Sequence, residues 1–154
     1  MYEAIETLLF RGPSSRAYRR LVLEERSAVQ VSGGYESYRG PSLFGLFAVG
    51  PAGSDTSRIE AGYRAELERL ADELVPDEEL EKAINQLKAA KVFAQESVLN
   101  KALTLGRSML YYGDASWEER YLERVAAVTP ADIQAVAKKA FAESDRVELR
   151  MQPA

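Results

Sequence analysis

The chain contains no cysteine and no histidine. Without thiols there can be no disulfide, no thiolate nucleophile and no thiolate metal site, and the redox compartment stays open. Without imidazole two further chemistries lose their usual groups. Zinc hydrolases nearly always ligate the metal through histidine, and a serine triad uses an imidazole as its proton shuttle. Self-sufficient catalysis of either kind is therefore not expected. Long hydrophobic runs are missing too: no apolar stretch approaches the roughly eighteen residues needed to span a bilayer. No membrane association is expected. Positive charge is also in deficit, at 20 basic against 24 acidic residues and a net charge of -4. Counterion release needs a concentrated basic face, so a general nucleic-acid binder is not expected either. Met1 is followed by YEAIETLLF, with Glu3 and Glu6 where an export signal would carry basic residues. The compartment, cytoplasmic or periplasmic, is left open.

What is present fits one domain over residues 1–154, long enough to bury a real core. Ala4, Ile5, Leu8 and Leu9 recur at helical spacing, predicting a short helix that ends near Gly12-Pro13. Ser14 or Ser15 can cap the next helix, with Ala17 and Leu21 turned inward and Arg16, Arg19 and Arg20 forming a solvated basic face. These arginines, with Arg11, make the one dense basic patch in the sequence. From Ala28 the period becomes two. Val29, Val31, Gly33 and Tyr35 would share one face of a strand, Tyr38 to Ser42 reads as a turn, and Leu43 to Val49 is apolar on both faces, as in a strand covered on both sides or meeting a partner. Residues 28–49 therefore read as a hairpin.

The rest is largely helical. Ile59, Tyr63, Leu67, Leu70 and Leu74 form one stripe ended by Pro76, after which Asp77, Glu78 and Glu79 load the start of the next helix with negative charge. Apolar spacing then continues through Leu80, Ile84, Leu87, Val98, Ala102, Leu105 and Met109 to Gly113, about 50 Å if unbroken. That is too long for a compact domain of this size, and a bend is expected between Ala94 and Asn100. Ser116 with Glu119, and Thr129-Pro130 with Asp132, each resemble an N-cap followed three residues on by an acid. Val147, Leu149 and Met151 alternate with Arg146, Glu148 and Arg150, which predicts a half-buried strand returning to the hairpin. The element order gives an α+β class, with an antiparallel or mixed sheet and helices packed on one face.

Each chemical candidate has a structural explanation. The acids Asp72, Glu73, Asp77, Glu78, Glu79 and Glu81 flank a helix start and lack the glycine-bearing spacing of a calcium loop. Ser32-Gly33-Gly34 and Gly50-Pro51-Ala52-Gly53 lack the spacing of phosphate-binding loops. Ser14 and Ser15 have no neighbouring base. Tyr111, Tyr112 and Trp117 read as core-edge or interface aromatics. From the residues alone the reading stops at an α+β domain without its own catalytic group.

Four segments resemble one family. GPSSRAYRRL (12–21), VPDEELEKAINQLKA (75–89), AQESV (94–98) and ERVAAVTPADIQAVAKKAF (123–141) occur in the order and spacing of the C-terminal domain of M16 metallopeptidases, the pitrilysin and mitochondrial-processing-peptidase group. The resemblance implies the fold of the LuxS and processing-peptidase-like metallohydrolases. It also implies a zinc-bearing partner domain or subunit with a His-x-x-Glu-His motif, and an extended peptide substrate held between the two. This chain would be the metal-free side, binding no cofactor itself, with no catalytic and no metal-ligating residue. An arginine and a tyrosine that help hold substrate in active relatives fall at Val22 and Val29 here, so that pair is absent. The corner Arg11 to Ser15 lies where the processing peptidase has its glycine-rich loop, but has Gly12 alone. Keeping the fold without peptidase work, as a structural or assembly protein, is the alternative. Family members carry one or more strands ahead of the first helix, and this chain begins at that helix, as a truncated piece would. An unpaired sheet edge is expected there, and with it self-association.

Overall fold

The computed structural model describes residues 1–38, 40–141 and 146–151. The first helix, α1 (Tyr2–Phe10), buries Ala4, Ile5, Leu8 and Leu9 and ends at Gly12, whose φ of +84° favours glycine. Next comes α2 (Arg16–Tyr18), which widens at once into a π-helical stretch, Arg19–Glu24. There the Glu25 amide reaches back to the Arg20 carbonyl at 2.8 Å. Ser15 occupies the cap position, but its hydroxyl donates to the Gly12 carbonyl at 2.8 Å instead of accepting from the helix.

The hairpin forms as the alternation predicts. Strands β1 (Gln30–Glu36) and β2 (Leu43–Val49) pair antiparallel, with Val31 opposite Ala48 and Tyr35 opposite Phe44. The turn between them includes Arg39, which lies outside the described residues. Val31, Gly33 and Tyr35 do share one face, and it is the face the helices cover; Val29, expected with them, precedes the strand and is exposed. Phe44 packs on Phe10 and Phe141, at 6.0 and 5.1 Å between ring centres, and Tyr35 stacks on Tyr2 at 4.7 Å. Of the two readings of the doubly apolar β2, coverage on both sides does not hold among the described residues. Among the described residues the sheet has two strands, and Leu43, Phe47 and Val49 are exposed on its other side.

Helices α3 (Ser57–Asp72), α4 (Asp77–Ala94), α5 (Val98–Tyr112), α6 (Tyr121–Ala126) and α7 (Pro130–Ala140) complete the α+β layer, with a 3-10 turn at Ala115–Glu118 between α5 and α6. The long helical run does break where expected. Ser97 caps α5, accepting from the Asn100 amide at 3.3 Å. Thr129 and Asp132 form a reciprocal capping box at the start of α7. The Ser116 cap is corrected: Asp114 caps the 3-10 turn instead, its carboxylate accepting from the Ser116 amide at 2.9 Å. The main core joins α1, α3, α4 and α7, with Ile5, Leu9, Leu70, Leu80 and Ile133 among its buried residues. A second cluster, around Leu21, Val31 and Ile59, sits beneath the hairpin, and Phe10 packs against both.

Residues 146–151 take no regular secondary structure, and the expected strand returning to the hairpin is not formed by them. The expected alternation is there with its sense reversed. Glu148 accepts hydrogen bonds from the Tyr63 hydroxyl and from Arg64, each at 2.7 Å, and Arg150 pairs with Glu60, while Val147, Leu149 and Met151 face solvent. Period two specifies which residues share a side; the polar surface offered by α3 decides which side is held.

One backbone feature gives a direct expectation. Arg26 is exposed and holds φ at +50°, a left-handed conformation that costs a non-glycine residue about 1–2 kcal/mol. Part of that is returned by glycine's greater freedom in the unfolded chain. Arg26→Gly is expected to raise the unfolding free energy by about 0.5–1 kcal/mol, read from urea denaturation midpoints.

Candidate functional site

Arg16 does not face solvent. It is 7% exposed, and its guanidinium grips Glu79 at the start of α4 through two bonds, Nε to Oε1 at 2.8 Å and Nη2 to Oε2 at 2.7 Å. Those bonds hold the Glu79 carboxyl below its ordinary range. Arg20 bonds Glu25 at 2.7 Å and the buried carboxylate of Glu66 at 3.0 Å. The π-helical widening places Arg20 over α3 while Leu21 stays fully buried. Of the three arginines only Arg19 keeps the solvated position expected of them all, beside Glu24 at 3.2 Å. The expected basic face is thus a set of structural ion pairs, which leaves the Gly12 corner without a free cluster of guanidinium groups to hold an anion. Ser14 accepts from Lys82 at 2.5 Å, an interaction of surface side chains.

Within the acidic run around α4, Glu79 pairs with Arg16 and Glu73 with Arg69. Among the described residues no group of three or more His, Cys, Asp or Glu side chains is placed to hold a metal ion. Among them, too, no helix is long and apolar enough to cross a membrane. Tyr112 stacks on Trp117 at 4.2 Å, and the Arg124 guanidinium lies 4.0 Å from the Trp117 ring, so these aromatics pin the end of α5 to the 3-10 turn and α6.

The glycines at Ser32-Gly33-Gly34 shape the hairpin. A β-carbon on Gly33 would lie 2.4 Å from the Phe10 ring and 2.6 Å from the Gly45 carbonyl oxygen, so only glycine lets Phe10 press this close to the sheet. The Tyr35 amide is occupied by the Glu6 carboxylate at 3.1 Å, which covers β1 at that point. Among the described residues the opposite strand has no such cover. β2 has no other strand beside it among the described residues, and it presents Leu43, Phe47 and Val49 to solvent. The chemistry available there is recognition: backbone groups along a strand edge and apolar side chains beside them. Periodicity marked β2 as unusually apolar but could not show that its far face is open. Val22 packs against the cluster beneath the hairpin, and Val29, 60% exposed, precedes β1. Neither carries a polar side chain.

Comparison with known proteins agrees with this architecture. The family model of the peptidase M16 inactive domain matches residues 2–87, more than half of the chain. A Streptomyces coelicolor protein named as an uncharacterized zinc protease is 29% identical over 134 residues, 87% of this chain and 29% of that protein. One of the same description from Rickettsia bellii is 28% identical over 134 residues, 86% of this chain and 32% of that protein. The chain thus spans about a third of the length of the curated relatives it matches. The inactive peptidase domain of a zinc-protease-like protein from Bordetella parapertussis superposes with a TM-score of 0.87 at 25% identity, covering 99% of this chain and 82% of that one. With the helices on one face of an antiparallel sheet and the family match across its first half, the chain belongs to the peptidase M16 inactive-domain family.

Proposed function

We propose that this chain, as one domain over residues 1–154, forms a wall of a peptide chamber opposite a zinc-bearing M16 domain or subunit, and holds extended peptide while the partner's metal cleaves it. The observation that carries this reading is the open strand β2, with its exposed Leu43, Phe47 and Val49. An extended peptide can add as a further strand there, main-chain bonds giving affinity and the apolar side chains giving preference. Zinc chemistry is assigned to the partner because this chain has neither imidazole nor thiol to offer a metal.

The chain alone is expected to leave a quenched fluorogenic peptide intact with or without added zinc. A zinc-bearing M16 domain added to it should start cleavage that a chelator stops. Hydrolysis by the chain alone, abolished by a chelator, would overturn the reading. Since a cross-strand pair contributes about 0.2–1 kcal/mol, Phe47→Glu should weaken peptide binding by up to about fivefold, read by fluorescence anisotropy, with the fold unchanged.

A second reading, an assembly protein that keeps the fold without peptidase work, draws on Val22 and Val29. The resemblance puts a substrate-holding arginine and tyrosine at these positions, and neither residue supplies a polar group. A stable complex with a zinc-bearing domain that does not accelerate cleavage would favour it.

A further inference from the structure

Helix α1 is fitted to β1 through residues one turn apart. Tyr2 stacks on Tyr35 at 4.7 Å, Glu6 accepts from the Tyr35 amide at 3.1 Å, and Phe10 presses on Gly33. The two aromatic contacts fix the helix along the strand, and Glu6 stands between them. Its Oε2 takes the amide while Oε1 lies 3.7 Å from the Arg11 guanidinium, so both oxygens have a partner. The carboxyl carbon also lies across Gly34, 3.5 Å from where a β-carbon there would be.

The bond from Tyr35 shows which way that amide points. In an antiparallel ladder, opposite residues alternate between pairs that exchange both main-chain bonds and pairs that exchange none. Tyr35 stands opposite Phe44 and gives its amide to Glu6, so theirs is a pair of the second kind. The main-chain groups of Val31, Gly33 and Tyr35 therefore point away from β2, and those of Phe44, Leu46 and Ala48 point away from β1. The hairpin thus has two edges of equal length. The bond from Glu6 has no counterpart on the β2 edge among the described residues.

A strand arriving on β1 must put a carbonyl where the Glu6 carboxylate sits. It would displace a charge-assisted bond and bring its own carbonyl oxygens up to a negative group. We propose that Glu6 is a specificity-determining residue, a plug on the outer edge of β1 that confines extended peptide to β2. This assignment rests on the reading that peptide adds to the hairpin as a strand. A bond to a charged acceptor shifts the choice of edge by about ten- to a hundredfold.

The test is amide hydrogen exchange by NMR on the full chain, with and without a capped peptide of alternating valine and threonine. In the wild-type chain the peptide should slow exchange at Phe44, Leu46 and Ala48 and leave Val31, Gly33 and Tyr35 as they are. In Glu6→Leu it should slow exchange at both sets, with affinity for the β1 edge raised about ten- to a hundredfold. Glu6→Gln keeps an acceptor on the amide and should behave as wild type. Without peptide, the Tyr35 amide should exchange about tenfold faster in Glu6→Leu than in the other two proteins. Leucine is a good helix former, so circular dichroism should show α1 and the fold retained. Protection confined to β2 in all three proteins, protection of both edges in wild type, or a Tyr35 amide indifferent to Glu6→Leu overturns the plug and leaves the β2 reading standing. Protection of β1 alone, found only in Glu6→Leu, overturns the β2 reading and upholds the plug. Protection of neither edge in any of the three overturns both.

Discussion

Glu79→Ala should destabilise the protein by about 2–4 kcal/mol, more than Arg16→Met does, although each removes one half of the same pair. The asymmetry follows from burial. In the pair the Arg16 side chain is 8% exposed and that of Glu79 is 31% exposed. Removing the carboxylate strands a guanidinium that water cannot reach, whereas Arg16→Met keeps the apolar stem and leaves a carboxylate that can turn to solvent. The double variant Arg16→Met/Glu79→Leu should recover most of the loss, because a buried ion pair rarely outperforms well-packed apolar groups of similar size. The pair also sets an acid dependence. Glu79 has its carboxyl held low by hydrogen bonds from Arg16, so its contribution is complete above the ordinary glutamate value of 4.5 and is lost as pH falls through the lower folded-state value. Glu79→Gln should remove that part of the acid sensitivity. Urea unfolding at pH 7 and at pH 3–4 checks both statements; equal losses for Glu79→Ala and Arg16→Met would contradict the burial argument.

Gly33→Ala is the second large effect, expected at about 1–3 kcal/mol. The added methyl would stand 2.6 Å from the Gly45 carbonyl oxygen and 2.4 Å from the Phe10 ring. The oxygen belongs to the paired strand and cannot withdraw without breaking the ladder, so Phe10 must move, and with it the contacts to both core clusters. Gly45→Ala is the control. Its β-carbon would meet nothing within 4 Å, and its cost should fall within about 0.5 kcal/mol of zero. If β2 holds peptide, Gly33→Ala should also weaken peptide binding, because the hairpin shifts as a unit. Thermal unfolding of the pair of variants, with anisotropy on the same samples, separates the two effects.

Elements specified by short-range chemistry were legible. The break before α5 followed from the length of the helical run, the cap of α7 from Thr129 and Asp132, and the hairpin from period-two alternation followed by a glycine-proline turn. The arginine helix was misjudged for a definite reason. Helical spacing sorts residues onto faces, but it does not show that a carboxylate 63 residues away comes to meet one of them. The same limit applies to α5, whose stripe reads like any core-facing helix, and to residues 146–151, where it is the polar side that pairs with α3.

The sequence by itself determined which groups are missing, since a chain without histidine or cysteine offers a metal no imidazole or thiolate ligand and a serine triad no imidazole shuttle wherever its residues come to lie. It also determined the α+β class and the order of elements as far as α7, because caps, turns and periodicity act over a few residues. Only the tertiary structure decided which surfaces stay open: the far face of β2, the outer side of α5, and the pairing that takes Arg16 out of solvent. Burial depends on what a distant segment of chain brings to the same place, and an apolar stripe reads the same whether or not anything arrives to cover it.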